Sequence, residues 1–179
     1  MAATALGLAA GSTVLNAAET QPVKVREITD GITLVVEASV GGVPVPISVR
    51  LDYVALTEKG AVDAEHPSPS AEFVKHWSPP ASSVVLMDQT GGFRTDAFGK
   101  VLAVVCRDAT EPSETGVPIQ VRHCLQEDLI RAGWATYRTA EGEAPYPLHD
   151  MLMAAEKDAR EAKTGAWAPP TTTEPAKSR

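Results

Sequence analysis

The side chains able to do chemistry in this sequence are thinly spread. Its soft and borderline metal ligands are two cysteines, Cys106 and Cys124, and four histidines. A metal site usually wants four such ligands closely grouped, and these are scattered. The cysteines read as two buried thiols; a disulfide stays open, because spacing alone does not decide one. His76, His123 and His149 have no sequence neighbours that suggest a relay. Asp30 precedes Gly31 between two alternating apolar runs, so its side chain reads as the cap of a hairpin turn. Arg50 and Asp52 share one face of a strand, which makes Asp52 an ion-pair partner of Arg50 or a solvent-facing charge. Asp96 reads as a turn cap ahead of Phe98-Gly99.

The elements that must position these groups follow from periodicity. Residues 23–28 and 33–38 are strands on either side of Asp30-Gly31. After Gly41-Gly42, residues 45–54 form a third strand with Ile47, Val49, Leu51 and Tyr53 on one face and Ser48, Arg50 and Asp52 on the other. Ser68-Pro69 starts a helix whose apolar stripe is Phe73, Val74 and Trp77, and Pro79-Pro80 stops it. Residues 82–88 and 101–106 are the fourth and fifth strands, joined by a glycine-rich polar connection. Residues 107–118 read as a long polar loop and 119–123 as a short strand. A helix is expected over 124–138, with Leu125, Leu129, Ile130, Gly133 and Trp134 on its apolar side. A last helix runs from Pro147 to Gly165 on a stripe of Leu148, Leu152, Ala155, Ala159 and Ala162, with Trp167 folding back on it. Five short strands with an interposed helix suit an α+β fold built on a five-stranded, partly open barrel of the oligonucleotide/oligosaccharide-binding (OB-fold) kind, with three helices.

Composition bounds the rest. A chain of 179 residues suits one domain with extensions: an arm over 1–22, a domain over 23–167, and a proline- and threonine-rich tail over 168–179. Hydrophobic residues make up 44% and aromatics only 5%, so the core is expected to be aliphatic. The formal charge is -7, and no run of lysine and arginine forms a phosphate track, so nucleic acid is not the expected partner. The N-terminal stretch lacks the positive start and strong apolar core of a signal peptide and is too polar to span a membrane. A cytoplasmic or particle-associated protein is expected.

Four stretches then carry a resemblance: Asp30-Gly31-Ile32-Thr33; Val49-Arg50-Leu51 with Glu58 eight residues beyond the arginine; RTDAFGKVLAVV over 94–105; and EDLIRAGWA followed by AAEKDAREAKTGAWA. In order and spacing the chain resembles the staphylococcal nuclease-like family from about Val23 to Trp167, apart from a longer loop at 107–118. The resemblance implies an OB-like barrel and a phosphodiesterase using one bound calcium, held by two carboxylates. Those two positions fall here on Ile32 and Ala55, and neither side chain can bind a cation. The family's phosphate-contacting arginines fall on Arg50 and on Lys100, which keeps the charge without the planar fork. Its base, or water-orienting carboxylate, falls on Glu58.

With both ligand positions aliphatic, nothing offsets the charge that grows on phosphorus during attack. No cofactor is expected. The expectation is a non-catalytic nuclease-like domain acting as a structural or protein-interaction module, its arm and tail reaching beyond the barrel, as in a subunit of a large particle such as a phage virion. One alternative is a divergent calcium-dependent nuclease in which Asp30, Asp52 and Glu58 converge as substitute ligands. Another is a non-cleaving binder of single-stranded nucleic acid, for which Tyr53, Phe98 and Trp134 are the aromatic candidates. Tyr53 and Trp134 fall on apolar stripes, and core placement is expected for both.

Overall fold

The computed structural model describes residues 18–60, 68–88, 92–139 and 148–169. In chain order the elements are β1 (Ala18–Glu19), β2 (Val23–Ile28), β3 (Thr33–Val40), β4 (Val43–Leu51), β5 (Val54–Leu56), α1 (Pro69–Trp77), β6 (Ser83–Asp88), β7 (Arg94–Thr95), β8 (Val101–Pro112), β9 (Pro118–Cys124), α2 (Leu125–Arg131), β10 (Ala135–Tyr137) and α3 (His149–Ala162). A single 3₁₀ turn follows at Gly165–Trp167.

Strands β6, β2, β3, β4 and β8 pair in that order, and β8 pairs back onto β6, so the circuit closes. These are the five strands expected, but the barrel is closed rather than partly open. Alternation explains its inside: Val23 and Val25, Leu34 and Val36, Val49 and Leu51, Val84 and Leu86 are all buried. In β8 the run from Ala103 to Cys106 is buried on both faces, because α2 covers the outside of that stretch. Leu125, Leu129 and Ile130 of α2 and Leu152, Ala155 and Ala159 of α3 complete an aliphatic core. Each fully buried leucine or valine contributes about 1.5–3 kcal/mol.

Several local expectations change. Residues 107–118 are not a loop. Strand β8 runs on to Pro112 and pairs with β9 in unbroken antiparallel register, from Cys106↔Cys124 to Pro112↔Pro118. Most side chains of this ribbon meet solvent on both faces, so it carries no apolar alternation to mark it as strand. Cys106 and Cys124 are joined in a disulfide at its base. The third strand stops at Leu51, because Tyr53 turns left-handed (φ 66°) and sends the chain off as β5. The helix expected over 124–138 ends at Arg131: Gly133 takes φ 78°, and residues 135–137 pair with β5. A Cβ on Gly133 would lie 2.3 Å from the Thr164 carbonyl oxygen, so that position also requires glycine for close approach. Helix α3 closes earlier than expected, at Ala162, with Lys163 rather than Gly165 in the left-handed cap. On its expected stripe, Leu152, Ala155 and Ala159 are buried, whereas Ala162 is exposed. Trp167 folds back under the Arg160 guanidinium, 4.6 Å from ring centre to charge. Pro147 and most of the expected arm and tail lie outside the described residues; of the arm, β1 pairs with β6. No helix among the described residues is long and apolar enough to cross a membrane.

Candidate functional site

The β2–β3 turn sets the first position. Thr29 and Asp30 donate their N–H groups to the Thr33 carbonyl at 2.9 and 3.2 Å, and Ile32 donates to Asp30 Oδ1 at 2.8 Å. Asp30 therefore acts as the turn cap expected of it. Gly31 is required for space rather than for a left-handed backbone: a Cβ there would lie 1.9 Å from Ser70 Oγ of α1. Directly after them, Ile32 packs its half-buried side chain against the core, while its carbonyl accepts the Leu51 N–H at 2.8 Å.

The second position lies across the barrel rim. Ala55 sits in β5 opposite Thr136 of β10, and its carbonyl accepts from the Thr136 hydroxyl at 3.4 Å. Glu58 follows on the exposed turn after β5. It lines a cleft of about 370 Å³ together with Lys59, Thr136, Arg138 and Trp167. Lys59 donates to the Ala168 carbonyl at 2.9 Å, which holds the chain after α3 against this rim.

The cations are arranged by register. Arg50 of β4 and Arg94 of β7 both lie opposite Leu102 of β8, one on each side. Their acids are crossed. Arg94 Nη2 reaches Asp52 Oδ2 at 3.0 Å, and Arg50 Nη1 stands 3.6 Å from Asp96 Oδ2. Asp52 thus pairs with Arg94, not with Arg50 and not with solvent; its other oxygen accepts the Tyr53 N–H at 2.9 Å. Asp96 Oδ1 accepts from the N–H groups of Phe98 (2.8 Å) and Lys100 (3.0 Å), the turn cap expected of it. The Lys100 amide is the largest influence holding its carboxyl below the ordinary aspartate range. The Phe98 amide and the charges of Arg50 and Lys100 act in the same direction, against a desolvation penalty. Both cationic positions implied by the resemblance therefore surround one internal carboxylate.

Behind the cluster, Gln126 of α2 is fully buried. Its Oε1 accepts the Val105 N–H at 3.1 Å, and its Nε2 donates to the carbonyls of Ala103 (2.8 Å) and Asp52 (3.4 Å). Neither Arg94 nor Gln126 stood out in the sequence. The signal for Arg94 was its place in RTDAFGK, two residues before Asp96; only the pairing of three strands puts it beside Arg50.

Calcium takes six to eight oxygens with a strong share of carboxylate. Ile32 and Ala55 supply none from their side chains. Asp30 and Asp52 are engaged as described. Among the described residues no three of His, Cys, Asp and Glu are grouped so as to hold a metal ion, and Asp30, Asp52 and Glu58 do not assemble one. Two histidines serve elsewhere: His123 Nε2 meets Glu111 at 2.7 Å, and His149 Nδ1 meets the Tyr137 hydroxyl at 2.6 Å. Tyr53 is buried and Trp134 packs against the core, as expected; Phe98 is 82% exposed.

No curated protein matches this chain significantly. The family model for staphylococcal nuclease homologues matches residues 54–169, which include Ala55, Glu58 and Lys100, while Ile32 and Arg50 precede the matched stretch. With that match covering more than half of the residues, and the closed barrel and three helices around it, the chain belongs to the staphylococcal nuclease homologue family.

Proposed function

We propose that this chain is a non-catalytic member of a nuclease family, used as a structural or protein-interaction domain. One observation carries the reading: Ile32 and Ala55 occupy the positions where the resemblance calls for carboxylate ligands, and Ile32 turns its side chain to the core. Arg50 has its own acid in Asp96, so its charge is partly spent within the protein. The acidic balance of the chain, at -7, favours protein partners over nucleic acid. A subunit of a larger assembly, such as a virion, is one setting for such a domain. The test is a calcium-titrated cleavage assay on single-stranded DNA and RNA. No turnover above background is expected at any calcium concentration. Calcium-dependent cleavage that disappears in Glu58→Gln would overturn the reading.

A second reading rests on Phe98. This exposed ring lies on the turn that carries Lys100, a combination that suits stacking of an unpaired base beside a phosphate. Fluorescence anisotropy with a labelled oligonucleotide tests it. Salt-sensitive binding weakened about tenfold or more in Phe98→Ala would support it, and binding unchanged by the substitution would remove it.

A further inference from the structure

The β8–β9 ribbon ends in an open edge. Strand β9 pairs with β8 and with no other strand among the described residues. The direction of its backbone groups follows from two observations. At the base of the ribbon, Cys106 and Cys124 have Cα atoms 4.1 Å apart, the short spacing of a non-hydrogen-bonded antiparallel pair. At its tip, Pro112 lies opposite Pro118, a pair that needs no N–H between the strands, and Ser113 N–H bonds the Val117 carbonyl just beyond it. Counting from either end, residues 119, 121 and 123 turn their N–H and C=O groups towards β8. Residues 120 and 122 turn theirs outwards.

The comparison with β4 is informative. That strand also has a stretch without a second neighbour, since its pairing with β8 begins only at Val49. There Pro44 and Pro46 stand at alternate positions and remove the outward donors. Strand β9 has no such block at Gln120 or Arg122. Its side chains are also held in place across the ribbon: Arg122 pairs bidentately with Asp108, Gln120 donates to Thr110 at 2.7 Å, and His123 meets Glu111.

We infer that the β9 edge pairs with the same edge of a second copy of this chain, antiparallel and centred on Val121. The strand's own sequence selects that register. Centred on Val121, Gln120 and Arg122 of one copy face Arg122 and Gln120 of the other, so all four outward N–H groups meet carbonyls. Val121 meets Val121, and Ile119, 44% exposed here, is covered beside the other copy's His123. The two rows through Ile119 then start with Glu111 of one copy and end with His123 and Arg107 of the other, which is charge-complementary. Centring on Arg122 would oppose two arginines. Centring on Gln120 would oppose Arg122 with Pro118, which has no N–H to give. The resulting interface is isologous and closes as a dimer. It is separate from the Ile32 and Ala55 positions and does not depend on whether the domain cleaves.

The test uses the full chain in sedimentation equilibrium over a concentration series up to about 1 mM. Wild type is expected to move towards twice the monomer mass. Gln120→Pro removes an outward N–H together with the Gln120–Thr110 side-chain bond, which Thr110→Pro also removes, and is expected to stay monomeric. Thr110→Pro makes the same change on the opposite edge of the ribbon and is expected to dimerise like wild type. A wild type that stays monomeric throughout, or a Gln120→Pro variant that dimerises unchanged, would overturn the inference. If Gln120→Pro fails to fold, amide hydrogen exchange of wild type decides: protection of the Gln120 and Arg122 amides must rise with concentration, and its independence of concentration refutes the pairing.

Discussion

Gln126→Leu is a sharp test of how this barrel holds its rim. Strand β4 runs parallel to β8 from Val49↔Val101 to Leu51↔Ala103, and Asp52 continues the ladder by donating its N–H to the Ala103 carbonyl at 3.0 Å. The next regular bond would run from the Val105 N–H to the Asp52 carbonyl. The chain cannot make it, because Tyr53 turns left-handed and takes the strand away. The Gln126 side-chain amide fills the gap: its oxygen accepts from Val105, and its nitrogen bonds both Ala103 and Asp52. In effect it stands in for one peptide unit of the departing strand.

Leucine keeps most of the volume and removes every one of these bonds. The Val105 N–H, in a residue with no exposed surface, is then orphaned. That desolvated donor alone costs about 1–3 kcal/mol. The Ala103 carbonyl retains the Asp52 N–H, so its loss is partial. The Asp52 carbonyl loses its bond at a long 3.4 Å and adds less. The expected total is about 2–3 kcal/mol, a large fraction of the roughly 5–15 kcal/mol that holds a domain together. Urea unfolding should show a midpoint lowered by roughly 1–2 M with an unchanged slope. The Val105 amide should also exchange faster than its barrel neighbours. A loss below about 0.5 kcal/mol, or an unaltered Val105 amide, would refute the peptide-substitute reasoning.

Two further outcomes concern the carboxylates and the disulfide. Asp96 and Asp108 are both held below the ordinary aspartate range, Asp96 first by the Lys100 amide and Asp108 first by its hydrogen bonds from Arg122. Their contribution is present above the unfolded-state value of about 3.9 and is lost as pH falls through the lower folded values. Melting temperature followed from pH 5 downwards should therefore fall less steeply in Asp96→Asn than in wild type; parallel curves would discount the carboxylate. The disulfide spans 18 positions, and the double variant Cys106→Ala/Cys124→Ala should lose about 3 kcal/mol in urea unfolding. A loss under about 1 kcal/mol would mean that packing, not the cross-link, secures the base of the ribbon.

What could be read from the sequence divides along a physical line. Strands of the barrel carry apolar residues either in alternation, as in β2 and β3, or in short continuous runs, as in β6 and the first half of β8, so all four are legible with nearly the right ends. The β8–β9 ribbon was invisible because most of its side chains on both faces meet solvent and no period survives. Helix α2 is shorter than its apolar pattern suggests, because the apolar residues Trp134, Ala135 and Tyr137 continue past it as a turn and a short strand. A left-handed Gly133 and a left-handed Tyr53 reset the chain's direction; glycine announces that option and tyrosine does not. At the candidate site, local roles were legible: Asp30 and Asp96 each bond amides within four residues. Partners brought together by register were not. The choice of Arg94 for Asp52, and of Asp96 for Arg50, depends on three strands meeting at Leu102.

The rim also shows why fold and ligand chemistry can separate in this chain. The groups that shape the β2–β3 turn are the Asp30 carboxylate, the Gly31 hydrogen against Ser70, and the Thr33 carbonyl. The Ile32 side chain takes no part in those bonds; its backbone alone carries the N–H to Asp30 and the carbonyl to Leu51. A carboxylate at that position would add a ligand without adding a turn contact, and isoleucine adds core contact without removing one. Ala55 is similar, since its place in β5 is fixed by backbone pairing to β10. Both positions can therefore carry apolar residues as far as folding is concerned. Arg50 differs, because Asp96 sits beside it at a rim where removing the guanidinium would leave a mostly buried carboxylate oxygen without its counter-charge. The guanidinium therefore has a structural role of its own in the fold.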